Sequence, residues 1–500
     1  MPYHLLTGAT GLLGSYLLAD CLRTGQQMAV LVRPSRSQSA HQRVEAIIAR
    51  WEKELGEFLP RPIVFEGDIT HPDLDLDASS LKWIGCNCQS VIHNAASLTF
   101  HNGNHQAEPW LSNVEGTRHV LELCRGAGIR HFHHVSTAYV CGLRNGRIME
   151  GELDINQEFG NAYEQSKLTA EKMVRGADFL DHFTIYRPAI IIGDSATGYT
   201  TTFHGFYALL KLAHTLVSKV VLGSTGAQVL IAKFGLNGWE RKNFVPVDWV
   251  AKVIGHIHRA PEHHGNTYHL TAPHPTPLSD MADVIQNVVE ECSKLADPSD
   301  PSKCDGSWFE DVFKTQMEVY RSYWRNDPDF DCTNTHRAAP RLPCPLVDRN
   351  MLARMAKFAI QTNFGKVSSR VRKPDFYVCD YLQHLFQDED LFVKPCNGEM
   401  VIGLQVDGPG GGQWEFQFPD DRSVKAEAGI TSRSKATVRL NSTDFLLLAN
   451  RQISVKQAFQ TGSAHIEGNG SRPLANIQSL LETIISSCRL SDLTLSSGVS

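Results

Sequence analysis

The stretch Thr7-Gly8-Ala9-Thr10-Gly11-Leu12-Leu13-Gly14 follows the apolar run YHLLT (3–7) directly and opens a helix-like segment at Leu12. Glycines at i, i+3 and i+6 between a strand and a helix each have a task. Gly8 permits the tight bend, Gly11 lets a pyrophosphate approach the backbone at the helix N-terminus, and Gly14 lets helix and strand pack closely. The candidate nucleotide cradle is therefore Thr7, Gly8, Thr10, Gly11, Leu12, Leu13 and Gly14. Working outward, apolar runs recur as MAVLV (28–32), PIVFE (62–66), QSVIH (89–93), HFHHVS (131–136) and TIYRPAIII (184–192). Helix-like segments separate them; in one, Val114, Thr117, Leu121 and Cys124 share one face of a 3.6-residue period. Unbroken apolar runs between helices are the pattern of parallel strands covered on both faces.

The fold class expected is α/β, a doubly wound parallel (Rossmann) sheet, with a smaller helical substrate cap. After about residue 270 the apolar runs stop and Pro, Trp and Tyr thicken, with helices expected at 279–294, 307–324 and 349–363. The cap is assigned mainly to 200–240 and 271–365. KVSSRVRKPD (366–375) is polar and basic enough to stay hydrated as a linker, which bounds a first domain at 1–370 and a second at 376–490. In the second, apolar residues alternate strictly: Met400, Ile402, Leu404, Val406; Trp414, Phe416, Phe418; Ala436, Val438, Leu440. Period two predicts an α+β domain with an antiparallel sheet buried on one face. Helices are expected at 442–450, opened by Asn441 and Ser442, and at 454–461, then a strand near 464–467 and a helix at 473–487.

Composition excludes several classes. Lys+Arg 48 against Asp+Glu 54 gives −6 with no run of like charge, so a nucleic-acid partner has no electrostatic footprint. Twelve Cys are scattered, and the closest pair, Cys86-Asn87-Cys88, suits neither a zinc knuckle nor a redox pair. No 18-residue apolar stretch and no signal-like start occur, so a cytoplasmic protein without a transmembrane segment is expected, with at most transient membrane-surface contact. The 22 His include no HExxH and no three-ligand pattern, so no metal is expected.

Cofactor choice is read where the second strand ends. An acidic residue there would bind a ribose 2′-OH; this strand ends in Arg33, whose guanidinium suits a 2′-phosphate, with Arg36 and Arg43 near in sequence. NADPH is the cofactor expected. Asp68, with Ile69 in GDIT, is an adenine contact or the start of a turn. Asn94, with Ala95 and Ala96 in HNAAS, sits at the fourth strand's carboxyl end, where such sheets bind ligands. A tyrosine, with pKa about 10, becomes a proton donor or acceptor near neutrality only with help worth roughly 4 kcal/mol. Tyr163 and Lys167, at i and i+4, supply hydroxyl and ammonium on one helix face. Thr137 ends a strand-like run where its hydroxyl would share the substrate carbonyl. A second YxxxK, Tyr207 to Lys211, has no comparable Ser or Thr and is read as packing and surface. Asn113, in NVEGT, is either a helix cap or a relay near the lysine. Cys141 is read as a buried thiol rather than a nucleophile.

With TGATGLLG, GDIT, HNAAS, NVEGT, STAYVCG, YEQSK and RPAIIIGDSATG in this order, the first 270 or so residues resemble the extended short-chain dehydrogenase/reductases. LVRP, HNAASLTF and WRNDPDFDCTN resemble their fatty acyl-CoA reductase and thioester-reductase branch. The resemblance implies a Thr137/Tyr163/Lys167 triad, Arg33 and Arg43 on the 2′-phosphate, and Pro188, Ala189 and Ile190 beside the nicotinamide. Residues 398–485 resemble the sterol-carrier-protein lipid-binding domain, whose sheet and helices enclose an apolar tunnel; Asn469-Gly470-Ser471-Arg472-Pro473 departs from that family's apolar continuation and leaves a structural role open. The function expected is NADPH-dependent reduction of a lipid-like acyl thioester, carried by CoA or acyl carrier protein, to aldehyde, with or without further reduction to alcohol. The alternatives are a lipid or sterol alcohol dehydrogenase or ketoreductase, and a non-catalytic lipid-binding protein.

Overall fold

The computed structural model describes residues 2–35, 38–100, 105–217, 237–293, 325–365, 378–383, 400–407, 410–418, 425–431, 434, 436–449, 451–461, 464–467, 481–482 and 485. The expected helix 307–324 and linker 366–375 lie outside them, as do 218–236 of the cap and most of 473–487. The chain divides into two compact units, residues 1–21, 29–32 and 67–369 in one and 22–28, 33–66 and 370–500 in the other. Every candidate site residue except Arg33 and Arg43 falls in the first.

The main sheet contains Tyr3–Thr7 (β1), Gln27–Val32 (β2), Ile63–Glu66 (β3), Cys88–His93 (β4), His131–Val135 (β5) and His182–Pro188 (β6). Ile190–Ile192 (β7) and Phe244–Pro246 (β8) pair with each other, and Thr267–Leu270 (β9) is the main sheet's seventh strand. The order β9-β6-β5-β4-β1-β2-β3 reverses at β1, so the crevice beyond the carboxyl ends of β1 and β4 is where this topology places a ligand. The run TIYRPAIII is two strands rather than one. Beyond Pro188 the chain changes partner: Ala189 N–H still donates to Leu270 O at 3.1 Å, whereas Ile190 N–H donates to Asn243 O at 3.1 Å beside β8. The strand TYHL escaped the sequence reading because four residues beside a proline-rich run give too little period, yet all four are buried.

Helices Leu12–Arg23 (α1), Ala40–Leu55 (α2), Ala78–Asn87 (α3), Gly116–Ala127 (α4), Ala162–Arg175 (α5) and Val247–His258, with others, alternate with these strands. A π-helical turn, Leu111–Glu115, precedes α4. Asn161 starts α5, its side chain accepting from Glu164 N–H at 3.0 Å. In the cap, the helices Phe206–Val217, Leu278–Ser293 and Arg349–Gln361 share one apolar core that includes Phe206, Leu210, Ile285, Leu352 and Met355.

In the second unit Met400–Asp407 (β10), Gly412–Phe418 (β11), Lys425–Ala428 (β12), Ala436–Asn441 (β13) and Ala464–Glu467 (β14) form a sheet in the order β12-β11-β10-β13-β14. Ile402, Leu404, Phe416, Val438 and Leu440 point to a common core with Phe445 and Leu448 of the helix Ser442–Ala449. Asn441 opens that helix, its Oδ1 accepting from Asp444 N–H at 2.7 Å. The expectation of a wholly antiparallel sheet is corrected: β10 and β13 run parallel. Period two shows that one face is buried and says nothing of direction; the chain crosses from β12 back past β10 before pairing again. Among the described residues no helix is long and apolar enough to cross a membrane.

Candidate active site

The glycine turn is built as its spacing requires. Gly8 has φ +72°, and a Cβ there would lie 2.7 Å from Ala95 N; a Cβ on Gly14 would lie 2.0 Å from Gly8 O. At Gly11 the nearest neighbour, Gly8 O, would be 3.4 Å away, so backbone approach from outside stays open. Gly11 N–H donates to Gly8 O at 3.1 Å and Ser15 N–H to Gly11 O at 2.9 Å, which starts α1 under the turn. Leu12 and Leu13 are buried beneath it, whereas Thr10 is half-buried and Gly11 exposed. The end of β4 closes the other side. Asn94 Nδ2 donates to Gly8 O at 3.2 Å and Ala95 N–H to Thr7 Oγ1 at 3.2 Å; Ala96 is exposed. These shapes fit a dinucleotide: a glycine cradle at a helix N-terminus, open above Gly11.

Asp68 holds its own turn, Oδ1 accepting from Thr70 N–H and Thr70 Oγ1, both at 2.9 Å. The Ile69 side chain packs where a Cβ on Gly116 would come within 2.7 Å, and Ile69 O lies 2.8 Å from His119 Nδ1. In the second unit, an Arg43 guanidinium nitrogen donates to the Arg33 carbonyl, and burial plus the Arg33 charge lower the Arg43 pKa. Arg36 lies outside the described residues.

Thr137, Tyr163 and Lys167 converge. Thr137 caps the short turn after β5, its Oγ1 accepting from Tyr139 N–H at 3.3 Å and donating to Pro188 O at 3.4 Å. Thr137 acts to lower the pKa of the Tyr163 hydroxyl, but burial outweighs it and pushes the hydroxyl up to about 12. Lys167 is buried, with Nζ donating to Val135 O at 2.7 Å; burial brings it down to about 8, opposed by Glu171. At neutral pH Tyr163 is a neutral phenol and Lys167 an ammonium, one turn apart on α5. The Phe100 ring stands edge-on to Tyr163 at 5.5 Å between centroids.

Asn113 does not cap a helix. It lies within the π-helical turn, its Oδ1 accepting from Ser97 N–H at 2.8 Å and its Nδ2 donating to Ser166 Oγ at 2.9 Å. It thereby ties the loop after β4 to α5 beside Lys167. Pro188 ends β6 next to Thr137, and Ala189 and Ile190 lead on into β7, with the hydrogen bonds already given. Tyr207 serves the cap: it is buried, and its hydroxyl accepts from Gly193 N–H at 2.9 Å, while Lys211 is exposed. Cys141 is buried, and burial raises its thiol to about 12, which removes the thiolate a nucleophile needs. Among the described residues no three His, Cys, Asp or Glu side chains converge on a metal site.

Sequence reasoning passed over His93, whose Nδ1 lies 2.8 Å from Thr7 Oγ1, and Glu171, which lies one turn beyond Lys167 and pairs with Arg187. A lone arginine inside the apolar run TIYRPAIII was the signal for the latter, since a buried charge demands a partner.

Residues 6–254 match the NAD-binding domain described as Male sterility protein, and residues 385–473 match the SCP-2 sterol transfer family. The aldehyde reductase lnaA of Aspergillus flavus is 26% identical over 392 residues, covering 71% of this chain and 35% of that protein. A non-canonical nonribosomal peptide synthetase, hkm10 of Aspergillus hancockii, is 24% identical and is also covered over 35% of its length. The chain thus spans about a third of these two curated relatives. Among solved structures, the terminal R domain from the myxalamid PKS-NRPS pathway matches with TM-score 0.58 and 25% identity, over 73% of this chain and 92% of that one. A thiolation-reductase di-domain from an archaeal nonribosomal peptide synthetase matches with TM-score 0.54 and 18% identity, over 73% and 76%. This chain therefore joins an NAD-binding domain of the male sterility protein family, at residues 6–254, to a domain of the SCP-2 sterol transfer family, at residues 385–473.

Proposed function

We propose that the chain is an NADPH-dependent reductase of a lipid-like acyl thioester carried by CoA or an acyl carrier protein. The observation that carries the reading is the meeting of Thr137, Tyr163 and Lys167 at the carboxyl end of the sheet, close to Pro188. Relatives named as an aldehyde reductase and as a terminal R domain support it. Bound NADPH supplies hydride to the thioester carbonyl. The hydroxyls of Tyr163 and Thr137 hydrogen-bond the oxygen on which negative charge develops, and Tyr163 donates the proton. The Lys167 ammonium favours proton release from Tyr163 and holds the nicotinamide ribose. Collapse of the tetrahedral adduct breaks the C–S bond, releasing thiol and aldehyde; a second hydride would give alcohol.

Gly8, Gly11 and Gly14 take the pyrophosphate, Arg33 and Arg43 the 2′-phosphate, Asp68 and Ile69 the adenine side, and Pro188, Ala189 and Ile190 flank the nicotinamide. In this reading residues 1–370 form the reductase, and 376–490 a cytoplasmic lipid-holding domain that raises the local concentration of acyl chain by tethering.

The test follows NADPH absorbance with palmitoyl-CoA and a thiol-reactive dye in one cuvette, with Tyr163→Phe alongside. Coupled NADPH loss and thiol release, abolished in the variant, is the expected result. Turnover of ketolipids and aldehydes without thiol release would replace the reading with a lipid carbonyl reductase.

A further inference from the structure

One buried carboxylate, left unused by the chemistry above, touches both strand ends of the reacting site. Glu171 lies one turn beyond Lys167 on α5 and is fully buried. Its Oε1 accepts from Arg187 Nη2 at 2.7 Å and from Arg175 Nε and Nη2 at 3.0 and 2.8 Å. Its Oε2 accepts from Arg187 Nε at 3.0 Å and from Ser136 Oγ at 2.8 Å. Ser136 immediately precedes Thr137, and Arg187 immediately precedes Pro188. The next residues along each strand also meet, through the bond from Thr137 Oγ1 to Pro188 O. A single side chain therefore ties the end of β5, the end of β6 and the helix carrying Tyr163 and Lys167.

The same carboxylate stands among the charges that act on Lys167. Around that lysine stand His93 on β4 and His134 on β5, with Tyr163 one turn before it on α5, while Arg175 and Arg187 share its counter-charge, Glu171. Both histidines are buried and held neutral, their pKa values lowered by burial and by the Lys167 charge. Glu171 is the negative group that opposes burial at Lys167. The buried Arg187 and the half-buried Arg175 need a carboxylate whether or not it also touches β5; the additional bond from Ser136 aims this one at the residue before Thr137.

We propose that Glu171 is a positioning residue for carbonyl reduction, fixing Thr137 and Pro188 through Ser136 and Arg187 and supplying the counter-charge of the Lys167 ammonium. The inference rests on the reductase reading above.

The full chain is assayed for NADPH-dependent reduction of octanal and of octanoyl-CoA from about pH 6 to about pH 9.5, as wild type, Glu171→Gln, Glu171→Asp and Ser136→Ala. Loss of the carboxylate charge favours the neutral amine, so the alkaline limb of the Glu171→Gln profile moves to lower pH by roughly 1 unit. Glu171→Asp restores most of it. Ser136→Ala keeps every charge, so its limb stays in place while kcat falls several-fold with the KM for NADPH unchanged. Because Glu171→Gln leaves two guanidiniums without their counter-ion, folding is checked by circular dichroism; if it is lost, Ser136→Ala decides. Profiles that superimpose on wild type, or an unchanged kcat in Ser136→Ala, overturn the inference. Reduction of octanal without octanoyl-CoA sinks the thioester reading and leaves this test intact; if wild type reduces neither, both fall.

Discussion

The Thr7 hydroxyl and Nδ1 of His93 stand 2.8 Å apart beneath the glycine turn, and the bonding around them fixes which atom donates. Thr117 Oγ1 donates to Asn113 O at 2.7 Å, so it accepts from His93 Nε2 at 3.0 Å. The proton is then on Nε2, and Nδ1 accepts from Thr7, whose oxygen accepts in turn from Ala95 N–H. The circuit needs a neutral ring, which burial and the Lys167 charge enforce by lowering His93 to about 3.

Thr7→Val keeps the shape and removes the hydroxyl, leaving Nδ1 and the Ala95 N–H unpaired. The unfolding free energy should fall by about 1–3 kcal/mol, and NADPH should bind more weakly. Urea unfolding and a fluorescence titration with NADPH check this; wild-type values in both would remove His93 from the support of the cradle.

The two YxxxK tyrosines should behave oppositely. Tyr163→Phe is expected to lower kcat by roughly 10²-fold or more while NADPH still binds. Tyr207→Phe, which loses its bond to Gly193 N–H, should leave kcat alone and cost about 1 kcal/mol of stability. The comparison uses steady-state rates beside denaturation midpoints. In wild type, reduction should decline as pH rises through about 8, where Lys167 loses its proton.

Gly14→Ala should abolish NADPH binding, since the added methyl group falls on the Gly8 carbonyl. Gly11→Ala meets only an ordinary contact and should fold normally, weakening the nucleotide instead by crowding its approach. Expression, thermal unfolding and cofactor titration separate the two; equal behaviour would contradict the division of tasks among the glycines.

Acid should destabilise the first unit. His4, His133, His258 and His264 cluster with ring centroids 4.5 Å apart for His4–His258, 4.7 Å for His133–His258 and 4.6 Å for His133–His264. All four pKa values are lowered, chiefly by burial, His4 to about 4. A histidine held neutral in the fold and protonated in the unfolded chain gives stability that is complete above its ordinary pKa, about 6.5. It is lost as pH falls from there toward the folded value. The melting temperature should therefore drop between about pH 6.5 and pH 5; a flat profile would mean that the cluster accepts protons without unfolding.

Much of the site was legible because its signals are local. The glycine spacing at 8, 11 and 14, the YEQSK helix face and Thr137 just past the HFHHV run each need only a few consecutive residues. What escaped depends on long-range pairing. The neutral state of His93 is set by Thr7 and Thr117, far from it in sequence, and Glu171 acquires its partners only when β5, β6 and α5 are side by side. Asn113 reads in sequence as either a helix cap or a relay near the lysine, and no periodicity announces the π-helical turn in which it lies. In the second unit, alternation found the buried face of β10, β11 and β13, while the parallel pairing of β10 with β13 is a property of the connection and leaves no mark on either strand.

The cap core has a consequence for how the chain is made. Phe206 and Leu210 pack against Leu352 and Met355, which leave the ribosome much later; at ordinary elongation rates the interval is roughly 10 s. Late in it the sheet and its nucleotide turn are complete in sequence while one apolar helix still waits for the rest of its cover. Chaperones that shield greasy surfaces on nascent chains would find their target in that helix, and a polypeptide ending before residue 349 would keep only the cover that Leu278–Ser293 gives it.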